Sequence, residues 1–306
     1  MKLTFCCADT PPEPWLEGLR AALPEAELSV WAPGAPPADY AIVWAPPQAL
    51  IDEQPGLQAL FAIGAGVDRL LELRLPPGLK LVRLDDAGMA VQMAEYVCHA
   101  VIRHFRDFDA YAAAQRDACW AQREPRRRED FSVGLLGLGV LGSRVAQALS
   151  AFGFPLLGWS RTPKHIEGVQ CHHGAAGLQD FLACSQVLVN LLPLTPETGN
   201  LLNRDTLGRL RPGGYLVNVA RGAHLVDADL LALLDSGQLA GATLDVFRTE
   251  PLPPEHPFWH HPRITVTPHI SARTLRDESI AQIARKIRAL QRGEPIAGLV
   301  DPVRGY

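Results

Sequence analysis

Arg221, Glu250 and His269 are ionisable side chains that each follow an apolar run, at 215–219, 241–247 and 264–267. Together they suit one chemistry, hydride transfer to a 2-oxo acid. A substrate carboxylate needs a planar, permanently charged donor, which Arg221 supplies. The carbonyl oxygen gains negative charge as hydride arrives and needs a proton donor that works near neutral pH. His269 is that type of group. A carboxylate on the other ring nitrogen keeps an imidazolium charged and oriented, and Glu250 is the candidate. Taken singly, a His after Thr267-Pro268 is a loop residue and Glu250-Pro251 is a turn. Their placement at the ends of consecutive strands of one sheet gives them a common purpose.

A hydride needs a carrier. The apolar run 131–136 leads into Gly137-Leu138-Gly139-Val140-Leu141-Gly142, and Val145, Ala148, Leu149 and Phe152 then recur at helical spacing. Strand, glycine turn and helix are the context in which this motif predicts dinucleotide binding. The first glycine allows the tight turn, the second lets backbone approach a pyrophosphate, and the third lets helix pack on strand. The anion faces unpaired N–H groups at the positive helix end. An NAD site would carry Asp or Glu about 20 residues on, on the ribose 2′-hydroxyl. Here Ser160, Arg161 and Thr162 stand there instead. Arg161 can pair with a 2′-phosphate through two hydrogen bonds, and the hydroxyls add donors. NADPH is therefore the expected cofactor, with NADH possible.

Further apolar strands are expected at 3–8, 28–31, 40–44, 58–63 and 79–84 in the first part of the chain. Five more follow the glycine strand, at 155–159, 187–192, 215–219, 241–247 and 264–267. Short apolar strands alternating with helical segments imply parallel sheets covered on both faces. The fold class is α/β, with two doubly wound sheets. Residues 91–122 contain no Pro or Gly and read as one long helix, of the kind that bridges domains or forms an interface. A last helix is expected over 276–292. Polar and ionisable residues gather where the strands end, the pattern of a site built on a scaffold.

Composition narrows the class. The 306 residues are 47% hydrophobic and 20% charged, with net charge -4. Those values are ordinary for a globular protein and give no reason to expect nucleic acid or an anionic membrane as partner. Six scattered cysteines form no Cys-x-x-Cys, and Cys171-His172-His173 lacks partner ligands at metal-site spacing. The apolar start is too short for a signal peptide, and no stretch of 18 uncharged apolar residues exists. A cytoplasmic protein with no metal is the expectation.

The segments at 137–142, 192–198, 217–222, 244–252 and 267–271 resemble the signature series of the D-isomer-specific 2-hydroxyacid dehydrogenases. Val43-Trp44-Ala45-Pro46-Pro47, Gly64-Ala65-Gly66-Val67-Asp68, Glu95-Tyr96, Trp159-Ser160-Arg161 and the ending 301–306 are similar to its glyoxylate/hydroxypyruvate reductase A branch. Ala45 departs from that branch, which often has His there. The resemblance implies a flavodoxin-like substrate domain made of 1–90 plus 275–306, and a Rossmann cofactor domain, 91–274, inserted into it. It implies Arg221 on the substrate carboxylate, His269 as acid/base and Glu250 as its partner. Asp245 would hold the nicotinamide amide, and Leu192, Pro193, Val219 and Ala220 would line the dinucleotide. Backbone N–H groups of Gly64, Ala65, Gly66 and Val67 would meet the carboxylate, with Trp44 walling the substrate side. A homodimer is implied, and the small 2-oxo acids glyoxylate and hydroxypyruvate are the expected substrates. The alternatives are a bulkier 2-oxo acid or a non-enzymatic dinucleotide sensor on the same scaffold.

Overall fold

Residues 1–64 and 66–301 are described by a computed structural model of the chain. It divides into two compact units. One contains Met1–Met89 and the chain from Arg273 onward, and the other is Ala90–Ala272.

The first unit is a five-stranded sheet made of β1 (Lys2–Cys7), β2 (Glu27–Val30), β3 (Tyr40–Trp44), β4 (Ala59–Ala62) and β5 (Lys80–Val82). The spatial order is β2-β1-β3-β4-β5, with every pairing parallel. That is the flavodoxin-like order, with its switch point between β1 and β3. Alternate residues serve the two faces. Leu3, Phe5, Ile42 and Phe61 pack under α1 (Glu13–Ala22) and the C-terminal helix Arg276–Gln291. Ala41, Val43, Leu60 and Ala62 pack under α2 (Gln48–Glu53) and α3 (Asp68–Leu71).

The second unit, from Ala90 on, opens with all but the first residue of α4 (Met89–Phe105), followed by α5 (Phe108–Arg116). The stretch 91–122 is thus not one helix. Asp107 takes the left-handed conformation, with φ 54, which Asp tolerates better than most residues. Its carboxylate accepts a hydrogen bond from Arg126 at 2.6 Å and faces Arg123 at 3.6 Å. Charges that the sequence places in a following loop are folded back onto the break. α5 buries none of its residues.

Seven parallel strands follow: β6 (Val133–Leu136), β7 (Leu156–Ser160), β8 (Val169–His173), β9 (Val187–Asn190), β10 (Gly214–Asn218), β11 (Leu239–Leu244) and β12 (Ile264–Val266). Their order is β12-β11-β10-β9-β6-β7-β8. Six strands therefore follow the glycine strand, not five. The additional one, β8, is an edge strand of sequence Val-Gln-Cys-His-His with no fully buried residue, so it lacks the apolar run that marks the others. Val133, Leu135, Val187, Val189 and Val217 face α4 and α6 (Val140–Ser150). Leu136, Leu188 and Leu216 face α7 (Gly174–Cys184) and, past the short α8 (Arg204–Leu207), α9 (Asp227–Asp235). Burying each such side chain contributes about 1.5–3 kcal/mol, which holds the strand ends in fixed register. The Arg276–Gln291 helix is α10.

Candidate active site

The order of the seven strands reverses between β6 and β9, and ligands of such sheets bind beyond the carboxyl ends of the strands there. Gly137 ends β6 with φ 105, closed to most side chains, and an added Cβ would stand 3.0 Å from the Leu191 carbonyl oxygen. At Gly142 a Cβ would lie 2.0 Å from the carbonyl oxygen of Gly137. Only glycine lets α6 start so close to the turn. Gly139, between them, faces open space and is the N-cap of α6 with no side-chain cap. The first-turn N–H groups, Val140 and Leu141 among them, have no acceptor within their own helix. An uncapped helix end beside an open glycine fits a pyrophosphate.

The turn after β7 departs from a simple donor cluster. Ser160 is buried, and its hydroxyl donates to the Thr162 carbonyl at 2.8 Å. Ser160 thus shapes the turn, which leaves Arg161 and Thr162 exposed. Glu197 lies within reach of the Arg161 charge. Its carboxyl is held low by the Thr195 hydroxyl and its own backbone N–H, with Arg161 adding to them.

Two buried asparagines govern the neighbouring loops. Asn190 and Asn218 pair across β9 and β10, with the Asn190 amide donating to Asn218 Oδ1 at 3.0 Å. Asn190 Oδ1 accepts the Leu192 N–H, and Asn218 Oδ1 accepts that of Ala220. The Asn218 amide donates to the Arg221 carbonyl at 3.1 Å. His224, also fully buried, sits between the carbonyls of Arg221 and Pro193 at 3.1 and 3.2 Å. Leu192, Val219 and Ala220 are buried and Pro193 is exposed. Both asparagines are among the polar residues that gather at strand ends, where the sequence alone gives them no role. A polar residue closing an otherwise apolar strand was the signal.

The catalytic candidates converge. His269 Nδ1 lies 2.8 Å from Glu250 Oε2, and Glu250 Oε1 accepts the Phe247 N–H at 2.9 Å. Burial pushes the Glu250 carboxyl up, but the bonds from His269 and Phe247 and the charges of His269 and Arg221 outweigh it. The carboxyl rests below its usual range. Nδ1 facing a carboxylate carries the proton, which leaves Nε2 as the working nitrogen. Arg221 Nη1 donates to the Ala220 carbonyl at 2.7 Å. A Cβ on Gly222 would stand 1.8 Å from the Phe247 carbonyl carbon. That glycine therefore brings the Arg221 loop onto the Glu250 loop, a role missed in the sequence.

Asp245 is fully buried. Its Oδ1 accepts the Thr267 hydroxyl at 2.5 Å and the Ile270 N–H at 2.9 Å, and its Oδ2 accepts the Ser271 N–H at 2.7 Å. It holds the loop that carries His269, and a cofactor amide would have to share these oxygens.

The remaining candidates belong to the first unit. Trp44 ends β3, and its ring would meet a Cβ on Gly64 at 2.3 Å, so ring and loop are in contact. Gly66 is half-buried and Val67, buried, precedes α3. Ala65 and residues 302–306 lie outside the described residues.

A Rossmann sheet with this glycine turn and an Arg, Glu and His set at its strand ends defines a nicotinamide-dependent oxidoreductase. The family model for the D-isomer specific 2-hydroxyacid dehydrogenase NAD binding domain matches residues 98–271. Glyoxylate/hydroxypyruvate reductase A of Serratia proteamaculans (strain 568) is 52% identical over 301 residues, 96% of each chain. A D-isomer specific 2-hydroxyacid dehydrogenase from Xanthobacter autotrophicus Py2, solved with NADPH and MES, superposes with a TM-score of 0.95. It is 41% identical, over 100% of this chain and 99% of that one. An NADPH-dependent glyoxylate/hydroxypyruvate reductase from Sinorhizobium meliloti, solved with NADP and sulfate, gives a TM-score of 0.94. Its identity is 36%, over 100% of this chain and 99% of that one. The chain belongs to the D-isomer specific 2-hydroxyacid dehydrogenase family.

Proposed function

We propose that the protein reduces small 2-oxo acids, glyoxylate and hydroxypyruvate, to glycolate and D-glycerate with NADPH. The observation that carries this is the 2.8 Å His269–Glu250 pair within reach of the Arg221 charge, on the sheet that bears the glycine turn. The relatives from Serratia proteamaculans and Sinorhizobium meliloti bear the glyoxylate/hydroxypyruvate reductase name, which supports the choice of acids.

NADPH, when bound, supplies the hydride. Gly137, Gly139, Val140, Leu141 and Gly142 would hold its pyrophosphate, and Arg161 with Thr162 its 2′-phosphate. Leu192, Pro193, Val219 and Ala220 would line it. Arg221 pairs with the substrate carboxylate, a charge-assisted contact that fixes the carbonyl. His269 gives the Nε2 proton to the carbonyl oxygen as negative charge develops there, and Glu250 stabilises the imidazolium that gives it. The His269 side chain is 43% exposed, so it recovers its proton from solvent. The first unit would be the substrate domain.

A homodimer and a cytoplasmic location complete the reading. Phe108, Tyr111 and Trp120 leave 47%, 38% and 96% of their surfaces exposed, which suits cover by a second copy. Six free thiols suit a reducing compartment, and no helix among the described residues is long and apolar enough to cross a membrane. The test is loss of nicotinamide absorbance when purified protein meets NADPH with glyoxylate, hydroxypyruvate, pyruvate or phenylpyruvate. No consumption with any of them removes the enzyme reading.

A further inference from the structure

We infer that Tyr96 is a positioning residue for His269, acting through Thr267 and Asp245; the inference rests on His269 being the acid proposed above. Tyr96 lies on α4, remote in sequence from the catalytic loop, and its hydroxyl is 2.5 Å from Thr267 Oγ1. Thr267 Oγ1 is in turn 2.5 Å from Asp245 Oδ1. An ionised carboxylate only accepts, so Thr267 donates to Asp245 and Tyr96 donates to Thr267. The chain of donors runs one way, from helix to carboxylate. Burial above all pushes the Tyr96 phenol up to about 12, against the Thr267 hydrogen bond, with the Asp245 charge adding to the rise. The phenol keeps its proton at every working pH.

Asp245 then grips His269 from both sides. The N–H groups of Ile270 and Ser271, the next two residues, donate to its carboxylate. The His269 N–H donates to its backbone carbonyl at 2.9 Å. His269 itself has φ 54, a left-handed conformation that costs about 1–2 kcal/mol for an ordinary residue. Such a residue stays in place only while its surroundings over-determine it. Tyr96 and Thr267 are the part of those surroundings that ties the loop to a separate element. Val97 and Val101 of α4 are fully buried in the core, so the helix keeps its seat without the phenol oxygen.

Tyr96→Phe and Thr267→Val test this in the full-length protein, with Thr267→Ser as the conservative variant. Tyr96→Phe should lower kcat about tenfold, as small misplacements of a catalytic group do. The His269 ring resonances, followed by NMR, should shift whether or not turnover is present, because the ring is less firmly held on Glu250. Thr267→Val should reproduce both effects, and Thr267→Ser, which keeps the hydroxyl, should behave as the parent. The double variant should be no worse than Thr267→Val alone, as expected of groups acting in one chain. Unchanged kcat and unchanged His269 ring resonances in Tyr96→Phe would overturn the inference. A parent protein without turnover whose His269 ring resonances still respond to Tyr96→Phe would instead overturn the reductase reading and leave the linkage standing.

Discussion

Glu250 is held at both ends, Oε2 on His269 Nδ1 at 2.8 Å and Oε1 on the Phe247 N–H at 2.9 Å. A carboxylate so fixed sets the ring angle of His269 as well as its charge. Glu250→Gln keeps the shape and removes the charge. It should lower kcat/KM by about 10²-fold, because the imidazolium loses its stabilising partner. The pair also links stability to pH. The folded Glu250 carboxyl lies below its usual value, so its contribution is complete above the unfolded pKa and is lost as pH falls through the folded one. Melting temperatures of parent and Glu250→Gln, followed from neutral pH downward, should converge below the ordinary carboxylate range.

Arg161 stands at the end of β7 where an NAD site would have an acid. A charge-assisted hydrogen bond contributes roughly 1.5–3 kcal/mol, equivalent to about 10–100-fold in affinity. Arg161→Ala should weaken NADPH by that factor and leave NADH nearly unchanged, read as the ratio of kcat/KM with the two cofactors. Equal use of both by the parent protein would contradict the assignment.

Gly142 meets the turn it follows, with no room for a methyl group. Gly142→Ala must push α6 away from the Gly137 carbonyl, 2.0 Å from the new Cβ. Dinucleotide binding, measured by nicotinamide fluorescence, should fall by at least about tenfold, and the melting temperature should drop. Gly139→Ala, at an open position, should retain the melting temperature.

Trp120 is 96% exposed and α5 buries nothing within its own chain. If a second copy covers them, light scattering should report twice the mass of the 33.3 kDa chain. Trp120→Glu with Phe108→Glu should then return it towards the monomer. A monomeric parent would set the dimer aside.

The sequence carried much of this arrangement because strand ends in a parallel sheet are marked twice, by the close of an apolar run and by the polar residue that follows. Gly137, Arg221, Asp245 and His269 were legible in that way. β8 was not, since an edge strand with both faces half-wet needs no apolar run. The break at Asp107 was hidden because Asp is an acceptable helix residue, and only its bond to Arg126 makes the left-handed turn worthwhile. Asn190, Asn218 and Tyr96 act through partners 28 or 171 residues away, pairings that no local spacing encodes. Gly222 looked like one glycine among many until the Phe247 backbone was found against it.

In the proposed reaction His269, paired with Glu250, delivers the proton while NADPH delivers the hydride. The direct measurement is NADPH oxidation with glyoxylate and hydroxypyruvate by the parent protein and by His269→Ala, alongside NADPH binding to each. The parent should turn over, and the variant should lose about 10²–10⁴-fold with NADPH affinity unchanged. Normal turnover by His269→Ala would contradict it.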